Sequence, residues 1–199
     1  VDSIDKTTVA LLEKSGCDIL SIGIEYADNE QLKAIHKSIT VEKAIERIPL
    51  IKNNSSIQIA VNFIVGGELE TEETLQKKYD VIKQLNPDYC HVSILGVFPG
   101  TELYQEYIKK HPVPDNFWFT KNQNFHKDIP VFETDRFPKE RMFDEALKLD
   151  LWWNKDIKKK KSYSFIKLMR MALGYLRYGK IHQLVSAALS YGRSLFKRK

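Results

Sequence analysis

Three times in its first hundred residues this chain alternates a β-type run with a helical run, and each β-type run has one apolar face and one small or polar face. That combination constrains the fold more than any single motif does. Successive side chains of a strand point to opposite faces. In Asp18 to Glu25, Leu20, Ile22 and Ile24 share one face, while Ile19, Ser21, Gly23 and Glu25 share the other. In Ile57 to Gly66, Ile57, Ile59, Val61, Phe63 and Val65 oppose Gln58, Ala60, Asn62, Ile64 and Gly66. In Tyr89 to Phe98, Cys90, Val92 and Ile94 oppose Tyr89, His91, Ser93 and Leu95. Strand–helix–strand order predicts a parallel sheet with helices outside. A doubly wound sheet is buried on both faces and reads apolar throughout. One mixed face per strand instead predicts a curved sheet with a ligand-bearing concave side, which is barrel logic. Three units make about half of a barrel. The expected fold class is therefore α/β: half of a partial (β/α)6 TIM-like barrel with parallel strands, followed by a C-terminal helical extension. Glu25, Gly66 and the turn Val97-Phe98-Pro99-Gly100 fall at C-terminal strand ends, where sites on such barrels sit.

The helical runs are Thr7 to Lys14, Asn29 to His36, a Thr40-capped segment to about Lys52, Thr71 to Leu85, and Thr101 to Lys109. Glu70, Glu72 and Glu73 lie near the start of the fourth, where negative charge suits the helix dipole. Residues 109–138, rich in aromatics and prolines, read as an ordered loop or lid, because flexible linkers are Gly/Ser-rich. Lys139 to Asp156 reads as a helix carrying Trp152 and Trp153, and Ser164 to Lys199 as two further helices broken near Gly179. The expected organisation is thus 1–108, the half-barrel; 109–138, the loop; and 139–199, a basic helical extension.

Charge divides along the chain. Val1 to Asn154 holds 18 Lys and Arg against 25 Asp and Glu, a net −7, whereas Lys155 to Lys199 holds 13 against 1, a net +12. The basic character belongs to the tail. No apolar run reaches the roughly 18 residues that span a bilayer, and Val1 to Lys6 is too polar for a secretory leader. The chain starts without Met, so more sequence is expected before Val1. Its two cysteines, Cys17 and Cys90, are far apart and form no Cys-x-x-Cys pair. They read as buried thiols in a reducing, cytoplasmic compartment, and counting disfavours a zinc or iron–sulfur site built from this chain alone.

Three strand-end segments carry a resemblance. Leu11 through Glu25, with Leu32-Lys33-Ala34-Ile35-His36-Lys37-Ser38-Ile39-Thr40 after it, is similar to the fourth-strand region of radical S-adenosylmethionine (SAM) proteins. Asn62-Phe63-Ile64-Val65-Gly66 with Glu70-Thr71 resembles their fifth-strand motif, although Asn62 stands where Gly is usual and Gly67-Glu68-Leu69 where Leu-Pro-Gly is usual. Pro87-Asp88-Tyr89 through Phe98-Pro99-Gly100-Thr101-Glu102-Leu103-Tyr104 resembles the sixth strand and its turn. The similarity covers about the first 108 residues and is nearest to the cobalamin-associated branch that includes magnesium-porphyrin ester cyclase-like enzymes. Three motifs in order are more specific than one.

The resemblance implies a SAM-binding half of a radical-generating oxidoreductase or methyltransferase. In that family a 4Fe–4S cluster held by Cys-x-x-x-Cys-x-x-Cys cleaves SAM to a radical that abstracts a substrate hydrogen. That motif is absent here, so the resemblance places the first three strands upstream and implies an inactive fragment whose partner is the missing N-terminal half. It implies no catalytic residue in this chain. It implies that Glu25 hydrogen-bonds the SAM ribose, that Ile64 and Gly66 form part of the adenine wall with Asn62 close by, and that Leu95, Val97 and Phe98 complete it. It allows cobalamin in the parent protein and a small-molecule or lipid-like substrate.

Other readings stand beside these. Glu25 has a plainer alternative as a helix-capping or salt-bridged loop acid, and Glu70 reads as a helix N-terminal acid rather than a ligand group. His91, on the mixed face, reads as a hydrogen-bonded interior histidine in preference to a proton donor or substrate contact. The tail combines Phe165, Ile166, Leu168, Met169, Leu173 and Leu176 with Lys167, Arg170 and Arg177, a pattern compatible with an anionic membrane surface. A docked helical cap with a solvated basic face is the plainer alternative. Nucleic acid is not expected, because no binding module accompanies the charge. The competing overall reading is a non-enzymatic α/β binding or scaffold protein with a peripheral-membrane tail.

Overall fold

The computed structural model describes residues 1–114, 117–119 and 129–154. Its elements run α1 (Lys6–Lys14), β1 (Ile19–Glu25), α2 (Asn29–Ala34), α3 (Val41–Asn54), β2 (Gln58–Val65), α4 (Glu72–Leu85), β3 (Tyr89–Ile94), α5 (Glu102–Lys110), a 3-10 turn (Phe117–Phe119) and α6 (Lys139–Asn154). The expected helices of the tail lie outside the described residues. Oxygen-bearing side chains start the helices where the sequence offers them: Asp5, Thr40, Thr71 and Thr101 each accept a hydrogen bond from the third residue onward.

The three strands form one parallel sheet in the order β1-β2-β3. The predicted division of faces holds. Ile22, Ile24, Ile59, Val61, Phe63, Val65 and Cys90 are buried, and Ile19, Ser21, His91 and Ser93 on the other face are exposed. Helix α6 packs on β3 and β2 through Met142, Ala146 and Leu149, spaced to share one helical face. It also closes the outer edge of β3. The Cys90 N–H donates to Asn154 Oδ1 at 3.3 Å and Asn154 Nδ2 donates to the Cys90 carbonyl at 2.5 Å, while the Val92 N–H reaches Asp150 Oδ1 at 3.4 Å. Side chains four residues apart thus stand in for a neighbouring strand and remove an edge prone to unwanted pairing.

Two expectations about the strands need correction. The third strand ends at Ile94, not Phe98. Leu95 still donates to the Val65 carbonyl, but β2 stops there, and Gly66 and Gly67 turn away with φ of 109° and 96°. The following backbone groups must find other partners: the Val97 N–H donates to Pro130 O at 2.8 Å, and Gly96 bridges Val131 in antiparallel sense. His91 is exposed on the open sheet face, not an interior histidine, because no described element covers that face.

Beneath the loop after β2 lies a buried ion pair. Lys78, four residues beyond Thr74 on α4, places Nζ 2.7 Å from both oxygens of Glu70, with both side chains fully buried. Glu70 also accepts from the Gly66 N–H at 2.9 Å and from Thr74 Oγ1 at 2.6 Å. Burial pulls the Lys78 ammonium below the usual lysine range, and the adjoining Glu70 carboxylate opposes that shift. Glu70 is therefore the acceptor that shapes the loop rather than a simple helix-start acid. Removing one member strands the other charge away from water, at a cost of about 3–5 kcal/mol. We expect Lys78→Met to lose stability on that scale in urea unfolding. The double variant Glu70→Gln, Lys78→Met keeps an acceptor for Gly66 and should be less destabilised than Lys78→Met alone. A double variant as unstable as the single would show that the loop does not depend on this pair.

Candidate functional site

The open face of the sheet is a grid set by the strand register. Gly23, Asn62 and His91 lie in one row, Ser21, Ala60 and Tyr89 in the row before it, and Ile64 pairs with Ser93 toward the C-terminal ends. Asn62 Nδ2 donates to Ser21 Oγ at 2.9 Å, which fixes the amide on this face. Ile64 is half-buried against the core.

Glu25 ends β1 at a break in register, where Gly23 pairs with Asn62 but Glu25 pairs with Phe63. Its φ is 72°, a region that residues with a side chain rarely adopt. Such backbone costs of the order of 1–3 kcal/mol and persists where the surroundings enforce it, commonly at functional sites. The enforcement is visible. The carboxylate folds back over Gly23, so close that a Cβ there would lie 2.2 Å from Glu25 Oε1. Lys37, just beyond α2, holds the same oxygen at 3.0 Å. With its side chain about 20% exposed, the carboxylate is fixed but still accessible.

Gly66 is held on three sides. Its N–H goes to Glu70, its carbonyl accepts from Tyr26 Oη at 2.8 Å, and a Cβ would meet Met142 Sδ at 2.7 Å. Burial pushes the Tyr26 phenol well above its ordinary range, with the Glu70 and Glu25 charges adding to the effect, so it is a donor throughout the working pH range. Gly66 and Leu95 line a cleft of about 230 Å³ at the C-terminal strand ends. Val97 is buried with its N–H committed to Pro130, and Phe98 is 40% exposed beside Trp118, ring centres 5.9 Å apart. The seven candidates therefore divide: Glu25, Asn62 and Ile64 on the open face, Gly66 and Leu95 in the cleft, Val97 within the core, and Phe98 on the turn.

Sequence reasoning missed Lys37, Lys78 and Tyr26. Lys78 had a signal, since it falls on the apolar face of α4 with Thr74, Leu75, Val81, Ile82 and Leu85. Lys37 and Tyr26 had none.

The cysteines sit away from this end. Cys17 precedes β1, and Cys90 lies near the start of β3 on the helix-covered face. Burial pushes the Cys90 thiol up to about 12, against the thiolate a metal needs. The described residues hold no group of three or more His, Cys, Asp and Glu able to bind a metal.

No protein-family model matches the chain. Relatives do. The chain is 30% identical over 143 residues to the anaerobic magnesium-protoporphyrin IX monomethyl ester cyclase of Rubrivivax gelatinosus, covering 72% of this chain and 24% of that protein. It is 28% identical over 147 residues to the bacteriochlorophyllide d C-12(1)-methyltransferase of Chlorobaculum tepidum, covering 73% and 31%. Among solved structures it resembles coproporphyrinogen III oxidase (HemN) of Escherichia coli, described as a radical SAM enzyme, with a TM-score of 0.51 at 14% identity over 78% of this chain and 30% of that one. The chain thus spans roughly a quarter to a third of these proteins. The chain is thus similar in sequence to a cyclase and a methyltransferase that act on tetrapyrrole-named compounds, and it shares its α/β fold with an enzyme described as radical SAM.

We expect Gly23→Ala to move Glu25 without unfolding the chain. A compatible Gly→Ala change gains about 0.4–1 kcal/mol, and a partly exposed ion pair is worth about 0–1 kcal/mol. Stability in urea should therefore stay within about 1 kcal/mol, while the Glu25–Lys37 contact is lost from the variant's crystal structure. An unmoved carboxylate would show that Gly23 is not what admits it.

Proposed function

We propose that this chain supplies SAM-binding surface to a radical SAM iron–sulfur enzyme. The observation that carries the proposal is Glu25, a carboxylate held on the open face in a costly backbone conformation by Gly23 and Lys37. A carboxylate accepts two hydrogen bonds from vicinal hydroxyls with little strain, and charge-assisted bonds are the stronger kind. Glu25 would hold the ribose in this way. Ile64, Gly66, Leu95 and Phe98 would offer apolar surface and close backbone approach to adenine, with Asn62 beside the ribose and Val97 supporting from the core.

The residues present fit SAM: the Gly23 cradle leaves room for the carboxylate, and the turn at Gly66 is held by Glu70 before any ligand arrives. They do not fit a 4Fe–4S cluster, because neither Cys17 nor Cys90 lies at this end of the sheet and no third cysteine exists. Cluster ligands would come from sequence beyond these residues, and cobalamin, if used, likewise. Within this reading, β1 offers the place for that sequence, since no described strand pairs with its outer edge. SAM and the cluster would supply the radical chemistry, and this chain would hold and orient the nucleoside. The substrate is a small molecule in this proposal, in keeping with tetrapyrrole-named relatives. Among the described residues no helix is long and apolar enough to cross a membrane. The basic tail would add contact with an anionic membrane surface.

In the parent enzyme, Glu25→Ala should weaken SAM binding by about 1.5–3 kcal/mol per lost charge-assisted hydrogen bond in calorimetric titration, with the cluster absorbance retained. Glu25→Gly should do the same while keeping or raising stability, because glycine accepts the positive φ without strain. Unchanged SAM affinity with an intact cluster would sink the assignment.

A further inference from the structure

The cleft at the C-terminal strand ends contains a buried polar group that no described residue satisfies. Gln31, in the first turn of α2, is 3% exposed and lines the cleft, and its Oε1 has no hydrogen-bond partner among the described residues. An amide oxygen taken out of water and left unpaired is destabilising. Native chains retain few such groups, and a functional role is one of the explanations for those they keep. Among the described lining residues no side chain has a free donor to offer it. Most of the cleft is apolar, with Tyr26, Ile35, Leu95, Leu103 and Phe132 contributing. The Tyr26 hydroxyl is already committed to Gly66 O, and no lysine, arginine or histidine is among the described lining residues. The charged groups on the wall are two carboxylates, Glu68 and Glu106, both solvent-exposed.

From this we infer that the cleft is a binding pocket for a neutral or cationic ring compound that carries an N–H or O–H donor, and that Gln31 is the residue that selects it. Apolar walls receive the ring, Oε1 accepts from the ligand's donor, and the two carboxylates favour a cation and repel an anion. Part of the volume, about 230 Å³, is of the size that one or two fused rings occupy. The pocket shares Gly66 and Leu95 with the surface assigned above to SAM, but Glu25 does not line it. The inference therefore goes beyond the SAM assignment, and its test does not use that carboxylate.

Tryptamine is a suitable probe, because its indole N–H can reach an acceptor and its ammonium is positive. Indole-3-acetate keeps the ring and reverses the charge. In calorimetric titration of the full chain, tryptamine should bind and indole-3-acetate should not. Gln31→Leu, close in size, should weaken tryptamine by about tenfold, the worth of a hydrogen bond to a buried acceptor. The same variant should raise the Tm of the free chain, because it removes an unpaired buried oxygen. A residue with a purely structural role would lower the Tm on removal, so this opposite movement of affinity and stability is specific to the proposal. Ala34→Trp, placed on the exposed end of α2 at the cleft wall, should block tryptamine while leaving the Tm unchanged. Glu25→Ala should leave tryptamine binding unchanged, so failure here and failure of the SAM assignment remain distinguishable. The inference is overturned if tryptamine does not bind, if indole-3-acetate binds equally well, or if Gln31→Leu lowers the Tm or leaves affinity unchanged.

Discussion

The Glu70–Lys78 ion pair is the contact on which this end of the molecule depends. Buried charge is tolerated only where it is paired and hydrogen-bonded, and here one carboxylate satisfies an ammonium, a threonine hydroxyl and a backbone N–H together. The backbone N–H is that of Gly66, so the pair sets where β2 ends and where the chain turns. Tyr26 grips the other side of Gly66, which ties the exit of β1 to the exit of β2. The termination of β3 at Ile94 follows from the same event, because β2 has no further backbone to offer it.

A second constraint acts at Glu25. Its position looks costly: a positive φ, a bulged register and a carboxylate folded over a glycine. A packed helix-side residue would gain from none of these. They make sense together as the means of holding a charged acceptor on an open sheet face at the C-terminal strand ends, the place where barrel folds put their chemistry. Gln31 presents the same logic in another form, an acceptor with no partner among the described residues, kept under apolar walls. In both cases local stability is lower than the same backbone would allow, and departures of that kind are expected at functional sites.

Much of this was legible in advance. The alternating pattern of Leu20, Ile22 and Ile24, and of Ile57 through Val65, specified parallel strands with one helix-covered face, because burial of a two-residue period leaves no other assignment of sides. Thr40, Thr71 and Thr101 marked their helix starts through simple hydrogen-bond chemistry. Glu25 was legible as a strand-end carboxylate through its resemblance to a family motif. Its φ, its Lys37 partner and its dependence on Gly23 were not, because they arise from the bulge and from where the chain returns after α2.

The sequence by itself determined the layering, the strand directions and the choice of residues for the open face, since these follow from side-chain period and local capping. Tertiary structure alone decided where β3 ends, which groups grip Gly66, and that His91 stays exposed. It also decided that Asn154 and Asp150 close the β3 edge from a helix about sixty residues away. Those outcomes depend on which backbone groups remain unpaired once the sheet has formed, and on which distant segment can reach them. No pattern confined to neighbouring residues contains that information.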